Sequence, residues 1–140
     1  MFGTGVNFWA VLACAIANNI IGMFWYGSLF GKQWMAQMGW KNKSQKEAEK
    51  MKKAAGKGYV LTFIGSLLTA WVLGIFFQFM GIAMTSTGIY VAILAWIGFF
   101  FPLLMGSVLW EGKSIKLLWI NAGYYLFSLI VMAIILTVWI

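Results

Sequence analysis

The chain has 140 residues, of which 63% are hydrophobic and only 9% charged, and its formal net charge is +7. A soluble domain carries roughly 25% charged residues, because water must solvate its outside. So apolar a surface would aggregate in water, which excludes a soluble globular protein and makes lipid the expected solvent. Every cation is a lysine, and Arg, Asp and His are absent from the sequence.

Uncharged stretches alternate with charged ones along the chain. Residues 1–31 are uncharged, residues 32–57 carry eight Lys and two Glu, and residues 58–110 are again uncharged. A membrane-crossing helix needs about 20 apolar residues. We therefore predict a single all-α domain, residues 1–140, that forms a bundle of four transmembrane helices with a cytoplasmic loop at 31–58. The predicted spans are about 6–30, 59–81, 87–110 and 115–140.

The third span needs two further interpretations. The uncharged block 58–110 is too long for one helix, and the predicted break is Gly81 to Gly88, where Thr85, Ser86 and Thr87 cluster between glycines. Pro102 lies inside the third span and is expected to kink it, because proline removes a backbone donor and clashes with the preceding turn.

The lysines predict the orientation. Eight lie in the first loop, and Lys113 and Lys116 lie between the third and fourth spans, on the same side of a four-helix protein. Lysine in short loops stays cytoplasmic, so both termini are expected outside. Anionic lipid headgroups are a nearer partner for these lysines than nucleic acid, and no nucleic acid is expected.

The first loop itself is expected to contain a short Lys-rich helix at about 41–57. Ser44 and Glu47 fit a capping box, and Gly56 and Gly58 would stop the helix. Ala48, Met51 and Ala55 form a thin apolar stripe, while Lys46, Lys50, Lys53 and Lys57 share another face. Two interpretations stay open, a helix lying on anionic headgroups and a solvated loop that only sets topology.

Residues for soluble-type catalysis are missing. Without His or Asp, and with Cys14 alone inside an apolar run, the sequence offers no catalytic triad, no thiol–imidazole pair and no conventional zinc site. We therefore expect no enzyme, no catalytic residue, no metal and no cofactor. Cys14 is interpreted as a small core-filling thiol.

Neutral polar side chains lie at membrane depth instead. They either hold helices together through hydrogen bonds or line a polar pathway, and the sequence leaves both interpretations open. Asn18 and Asn19 lie near the middle of the first span and point about 100° apart, so both cannot face one neighbour. The candidate pathway residues are Asn18, Asn19, Gln78, Asn121 and Tyr124.

Two segments mark the cytoplasmic interface, WYGSLFGKQW at Trp25–Trp34 and WEGKS at Trp110–Ser114. The first has aromatic anchors and a weak point at Gly27-Ser28. Lys32 and Glu111 have opposite charges at similar depth, so we expect an ion pair between them. The candidate interface residues are Trp25, Tyr26, Gly31, Lys32, Trp34, Glu111, Gly112 and Lys113.

These two segments, together with INAGYYLFSLIVM at Ile120–Met132, resemble the family Domain of Unknown Function 1761, small four-helix bacterial membrane proteins. The resemblance implies a bacterial cytoplasmic (inner) membrane location and adds Asn121, Gly123 and Tyr124 to the candidate positions. The family often has Ser-Pro after Trp-Tyr and His after Gly-Tyr, where this chain has Gly27-Ser28 and Tyr125. No activity follows from the resemblance.

Two function classes stand ahead of an enzyme. The first is a homo-oligomeric transport or channel-type protein for a small solute or ion, without a charged group inside the membrane. Four spans have little interior, so a pathway would form more easily between subunits. The alternative is a non-catalytic accessory or scaffold subunit of a larger membrane complex.

Overall fold

A computed structural model describes residues 5–37 and 45–139. Within these ranges the chain is helical between its turns. The helices are α1 (Phe8–Phe24), α2 (Gly31–Gln37), α3 (Gln45–Phe79), α4 (Thr85–Ala95), α5 (Phe101–Leu109) and α6 (Ile115–Val138). A π-helical turn, Trp25–Leu29, follows α1, and a second, Trp96–Phe100, joins α4 to α5.

Four helical stretches are long and apolar enough to cross a membrane, which confirms the predicted fold class. They are span 1 (Phe8–Leu29), span 2 (Gly56–Phe79), span 3 (Thr85–Leu109) and span 4 (Ile115–Val138). Each end lies within about one helical turn of its predicted position. The lysine end of the bundle holds Leu29, Gly56, Leu109 and Ile115; the far end holds Phe8, Phe79, Thr85 and Val138.

The Lys-rich segment differs from the prediction. From Gln45 onward it is helical, but α3 runs without interruption through Gly56 and Gly58 into span 2, so the predicted stop is wrong. Glycine in a helix costs about 1 kcal/mol relative to alanine yet keeps its backbone donor and acceptor, and neither glycine has a positive φ. Lys46, Lys50 and Lys53 are exposed.

Part of that prediction falls outside the described residues. Ser44, with its capping box, lies between the two described ranges, and the side chains of the apolar stripe, Ala48, Met51 and Ala55, also lie outside what the structure describes.

The turn between spans 2 and 3 is shorter than predicted. Gly81 has φ +66°, and the Ile82 N–H donates to the Phe77 carbonyl at 2.9 Å, which closes a Schellman cap. Ile82 and Phe77 also share the apolar core. Thr85, which was expected in the turn, is the first residue of α4, because the glycine cap ends the preceding helix within a few residues.

Pro102 is accommodated by the second π turn. In place of a simple kink, the Phe101 N–H donates to the carbonyl of Trp96, five residues earlier, so an extra residue is inserted directly before the proline. Proline has no N–H and its ring crowds the carbonyl four residues back, and the wider turn removes both conflicts. The π turn in span 1 has no proline; it begins at Trp25 and contains the Gly27-Ser28 weak point.

Span 4 is central and span 3 is peripheral. In the most apolar stretch of span 4 50% of the residues are buried, against 6% for span 3. Helix α1 packs against α3 and α6, and α4 packs against α6. Cys14 is fully buried, as predicted, with its Sγ 3.7 Å from the Met132 carbonyl. The apolar core fills the far half: Ala10, Val11, Cys14, Ala70, Leu73, Phe77, Ile82, Ala92, Leu129, Met132, Ala133 and Leu136.

Candidate functional site

A polar cavity of about 440 Å³ lies between the middle of the spans and the lysine end. All four spans contribute to its wall, and none of the described residues that line it carries a charge. Leu129 and Met132 separate it from the apolar core of the far half. The lining residues are Asn18, Asn19, Gly22, Tyr26, Tyr59, Thr62, Gly65, Ser66, Thr69, Phe100, Tyr124, Tyr125, Ser128, Leu129 and Met132.

Asn18 ties three spans together in one wall of this cavity. Its Nδ2 donates to the Ser66 Oγ, and Ser66 in turn donates to the Thr62 carbonyl at 2.8 Å. The Tyr124 hydroxyl donates to the Asn18 Oδ1 at 3.0 Å and lies 3.2 Å from the Asn18 carbonyl. This amide therefore serves as a hydrogen-bonded link between helices, a common role for neutral polar side chains in membranes.

Asn19 also lines the cavity, but its side-chain oxygen does not link the helices as that of Asn18 does. Its Oδ1 is buried and has no hydrogen-bond partner among the described residues. More than nine in ten buried polar groups have a partner, so an unpaired amide oxygen beside a cavity is unusual. The 100° step between adjacent helical positions explains the contrast, because it turns Asn19 away from the contacts that Asn18 makes.

The other predicted pathway residues do not join this wall. Asn121 lies one layer closer to the lysine end, where its Oδ1 accepts a hydrogen bond from Tyr26 at 2.6 Å. Gln78 lies at the far end, exposed, beside Gly5 and in the wall of a separate cavity that Asn7 also lines. The structure thus brings together Asn18, Asn19 and Tyr124, with Asn121 behind them and Gln78 apart.

Aromatic rings pack together on the side of the cavity that faces the lysine end. The Tyr26 ring packs edge-on against Tyr124 at 5.2 Å between centroids, and Trp34 packs edge-on against Tyr26 at 5.8 Å. Gly31 is buried there, and an added Cβ would lie 2.9 Å from the Tyr26 carbonyl, which the π turn directs toward it. Trp34, Tyr26 and Gly31 therefore form one packed layer.

Trp25 fixes span 1 against span 4. Its indole N–H donates to the Ile120 carbonyl at 2.9 Å, and a Cβ added at Gly123 would lie 2.9 Å from its ring. On the opposite side, the Trp96 indole donates to the Ala122 carbonyl at 2.8 Å. Two tryptophans from different spans thus hold α6 at the level of the cavity.

The predicted ion pair between Lys32 and Glu111 is wrong. Glu111 pairs with Lys113 at 3.6 Å, and both side chains are exposed. Gly112 has φ +71° and folds the chain back between them, so the nearest cation to Glu111 is in its own turn. Lys32 is exposed at the end of span 1. An exposed pair of this kind is worth about 0–1 kcal/mol, so it holds the turn only weakly.

Sequence reasoning did not select one wall of the cavity. Tyr59, Thr62, Ser66 and Thr69 recur at steps of three and four residues, so they form one polar face of span 2. That periodicity is visible in the sequence and could have been used. Gly22, Phe100 and Tyr125 carry no such signal, because their positions depend on how the helices are rotated against each other.

Four apolar spans around a neutral polar cavity define a multi-pass helical membrane protein. The family model described as Protein of unknown function (DUF1761) matches residues 9–137, and the chain belongs to this family. The resemblance found in the three sequence segments is therefore confirmed. No curated protein and no solved structure matches the chain.

Proposed function

We propose that this protein is a transport-type membrane protein that binds a small, uncharged, polar solute in the cavity between its four spans. The observation that supports the proposal is the cavity itself, about 440 Å³ of space at membrane depth, in whose wall amides and hydroxyls lie among aromatic and aliphatic side chains. A family described only as of unknown function supplies no activity of its own.

The wall of the cavity favours a neutral solute. Its described lining residues carry hydroxyl, amide and aromatic groups and no charge that could compensate an ion. An unpaired ion away from water is costly, whereas a neutral polar molecule can exchange its hydrogen bonds with water for bonds to the wall. The proposed solute therefore carries hydroxyl or amide groups and no net charge.

The asymmetry of the bundle favours a transporter over an open channel. Packed apolar side chains fill the far half, so the cavity does not continue to the far end. Passage to the far end needs a rearrangement, and span 3 is suited to move because it is little buried. Its π turn and Pro102 give it a point of bending beside Phe100.

The cavity lies within one chain, so solute binding does not need a second copy. Assembly into a homo-oligomer stays a prediction of the sequence.

The proposal places the lysine end in the cytosol of a bacterium, against anionic headgroups, and both termini outside. Alkaline phosphatase fused after Ile140 is expected to be active, because this enzyme forms its disulfides only outside the cytosol. The matched fusion after Lys57 should be inactive. An inactive fusion at Ile140 with an active one at Lys57 inverts the topology.

A cleft runs between spans 2 and 3 and is lined by Val72, Phe76 and Phe99 among others. The transport mechanism predicts two widths of this cleft. Nitroxide labels at Leu61→Cys and Leu103→Cys, which are 67% and 79% exposed, would report this width by double electron–electron resonance in nanodiscs. We use a Cys14→Ser background. The expected distance distribution has two components, since the solute site must open alternately toward each end.

The control pair is Ile20→Cys with Phe127→Cys, on spans 1 and 4, which pack directly against each other. This pair should show one narrow distance. One narrow distance for the cleft pair as well would contradict the transport mechanism and favour the accessory or scaffold subunit.

A further inference from the structure

An apolar groove adjoins the polar cavity on the side of the bundle. The groove has a volume of about 320 Å³ and runs between spans 2 and 3. Three residues, Thr69, Phe100 and Leu129, line both the cavity and the groove, so the two spaces adjoin each other at these residues. The other groove residues are Leu68, Val72, Leu73, Phe76, Ala95 and Phe99. One side of the meeting point is therefore polar and the other is apolar.

We infer that the site takes an amphiphile with an uncharged, hydroxyl-bearing head group, such as a monoacylglycerol. The head occupies the polar cavity, and the hydrocarbon tail lies in the groove between spans 2 and 3. This inference rests on the proposed function, since it names the chemical class of the solute that the cavity binds.

The unpaired Asn19 oxygen selects the head group. Asn19 Oδ1 accepts no hydrogen bond from the described residues. The last torsion of an asparagine side chain is broad, so the Asn19 amide can turn toward the cavity at little cost. A hydroxyl on the head group can donate to the Asn19 amide oxygen.

The groove matches the tail. Thr69 to Phe76 covers about 10 Å along α3, and the side chains on this path are aliphatic or aromatic beyond Thr69. Leu68, Phe76 and Phe99 are 58%, 50% and 67% exposed on the outside of the bundle, where lipid tails lie. A tail can therefore slide in from the bilayer while the head passes between the two spans into the cavity.

The inference is tested by photolabelling of the purified protein in nanodiscs. The probe is a monoacylglycerol with a diazirine in its acyl chain, and the comparison probe has the same chain and a phosphate head. The neutral probe is expected to label peptides of spans 2 and 3. Labelling of these peptides by the phosphate probe should be lower by a factor of roughly ten or more, because no described residue of the cavity wall is a cation that could compensate its charge. Equal labelling by both probes overturns the inference.

Competition needs no variant and so does not depend on refolding of altered chains. Unlabelled monoacylglycerol should suppress the label, whereas free glycerol, which has the head but no tail, should not. Suppression by glycerol at equal concentration overturns the role of the groove.

Two variants locate the ligand. Asn19→Leu removes the head contact and Val72→Trp fills the groove, and each should reduce labelling roughly tenfold. The matched control is Ile64→Trp, an exposed position on the same helix outside the cavity and the groove; it should label as the parent does. Undiminished labelling of Val72→Trp, or an equal loss in Ile64→Trp, overturns the inference.

The outcomes separate this inference from the proposed function. If the cleft shows two widths but labelling is not specific, the transport proposal is retained and the amphiphile is rejected as its ligand. Specific labelling with one cleft width leaves a lipid-binding protein and rejects transport.

Discussion

Gly123→Ala is expected to lower the free energy of unfolding by about 1–3 kcal/mol, the usual cost of overpacking a filled site. The new Cβ would lie 2.9 Å from Cζ2 of the Trp25 ring and 3.4 Å from Cη2. The ring has little freedom to retreat, because its N–H is bonded to the Ile120 carbonyl on the same helix. SDS titration followed by circular dichroism measures the loss.

Gly65→Ala is the matched control. Gly65 is also inside a membrane-spanning helix, but a Cβ there meets no atom within 4 Å. Alanine has the higher helix propensity, so this variant should unfold at the same or a slightly higher SDS concentration. The same loss in both variants would show that the cost comes from the helix backbone and not from Trp25.

A second substitution identifies the clash. In Gly123→Ala/Trp25→Leu the ring is gone, so the alanine should cost much less than it does beside tryptophan. Additive losses in the double variant would contradict the contact between Trp25 and Gly123.

Asn18→Leu is expected to destabilise the bundle by about 1–2 kcal/mol. The substitution removes the donor to Ser66 and the side-chain acceptor for Tyr124, two bonds between spans. Interhelical hydrogen bonds in membranes contribute about 0.6–2 kcal/mol each. Ser66 keeps its bond to the Thr62 carbonyl, and Tyr124 still lies near the Asn18 carbonyl, so the loss is smaller than the full sum.

Asn19→Leu is the control, since it is the same change at the next residue. The Asn19 Oδ1 has no partner among the described residues, so leucine removes an unpaired buried polar group and should cost no stability. Thermal unfolding in detergent and SDS titration measure both variants. An equal loss at the two positions would contradict the different roles that we assign to these amides.

Much of the fold could be predicted because the relevant patterns are local. The spans were placed to within about a turn, since the free energy of burying apolar side chains in hydrocarbon depends on composition and length. Pro102 predicted an irregularity in the helix of span 3, although the sequence did not show that a π turn would accommodate the proline. The predicted helix end at Gly56 and Gly58 was wrong because glycine ends a helix reliably only where the backbone needs a positive φ, as at Gly81.

The candidate site could be predicted only in part. The predicted ion pair between Glu111 and Lys32 was wrong because an exposed carboxylate pairs with the nearest cation, and the turn at Gly112 brings Lys113 close. Asn18 and Asn19 were recognised as polar residues at mid-membrane depth, but their roles were left open. Gln78 was grouped with them by residue type, and it lies near the opposite end of the bundle.

By itself, the sequence determined that this chain is a four-span membrane protein and which polar groups lie inside the spans, because hydrocarbon sorts residues by polarity along the chain. Only the tertiary structure decided that Asn18 is bonded while the Asn19 oxygen is not, and that the polar cavity adjoins an apolar groove. Those facts depend on the rotation of each helix about its axis. That rotation follows from contacts between residues distant in sequence, such as Trp25 with Gly123, which no local pattern encodes.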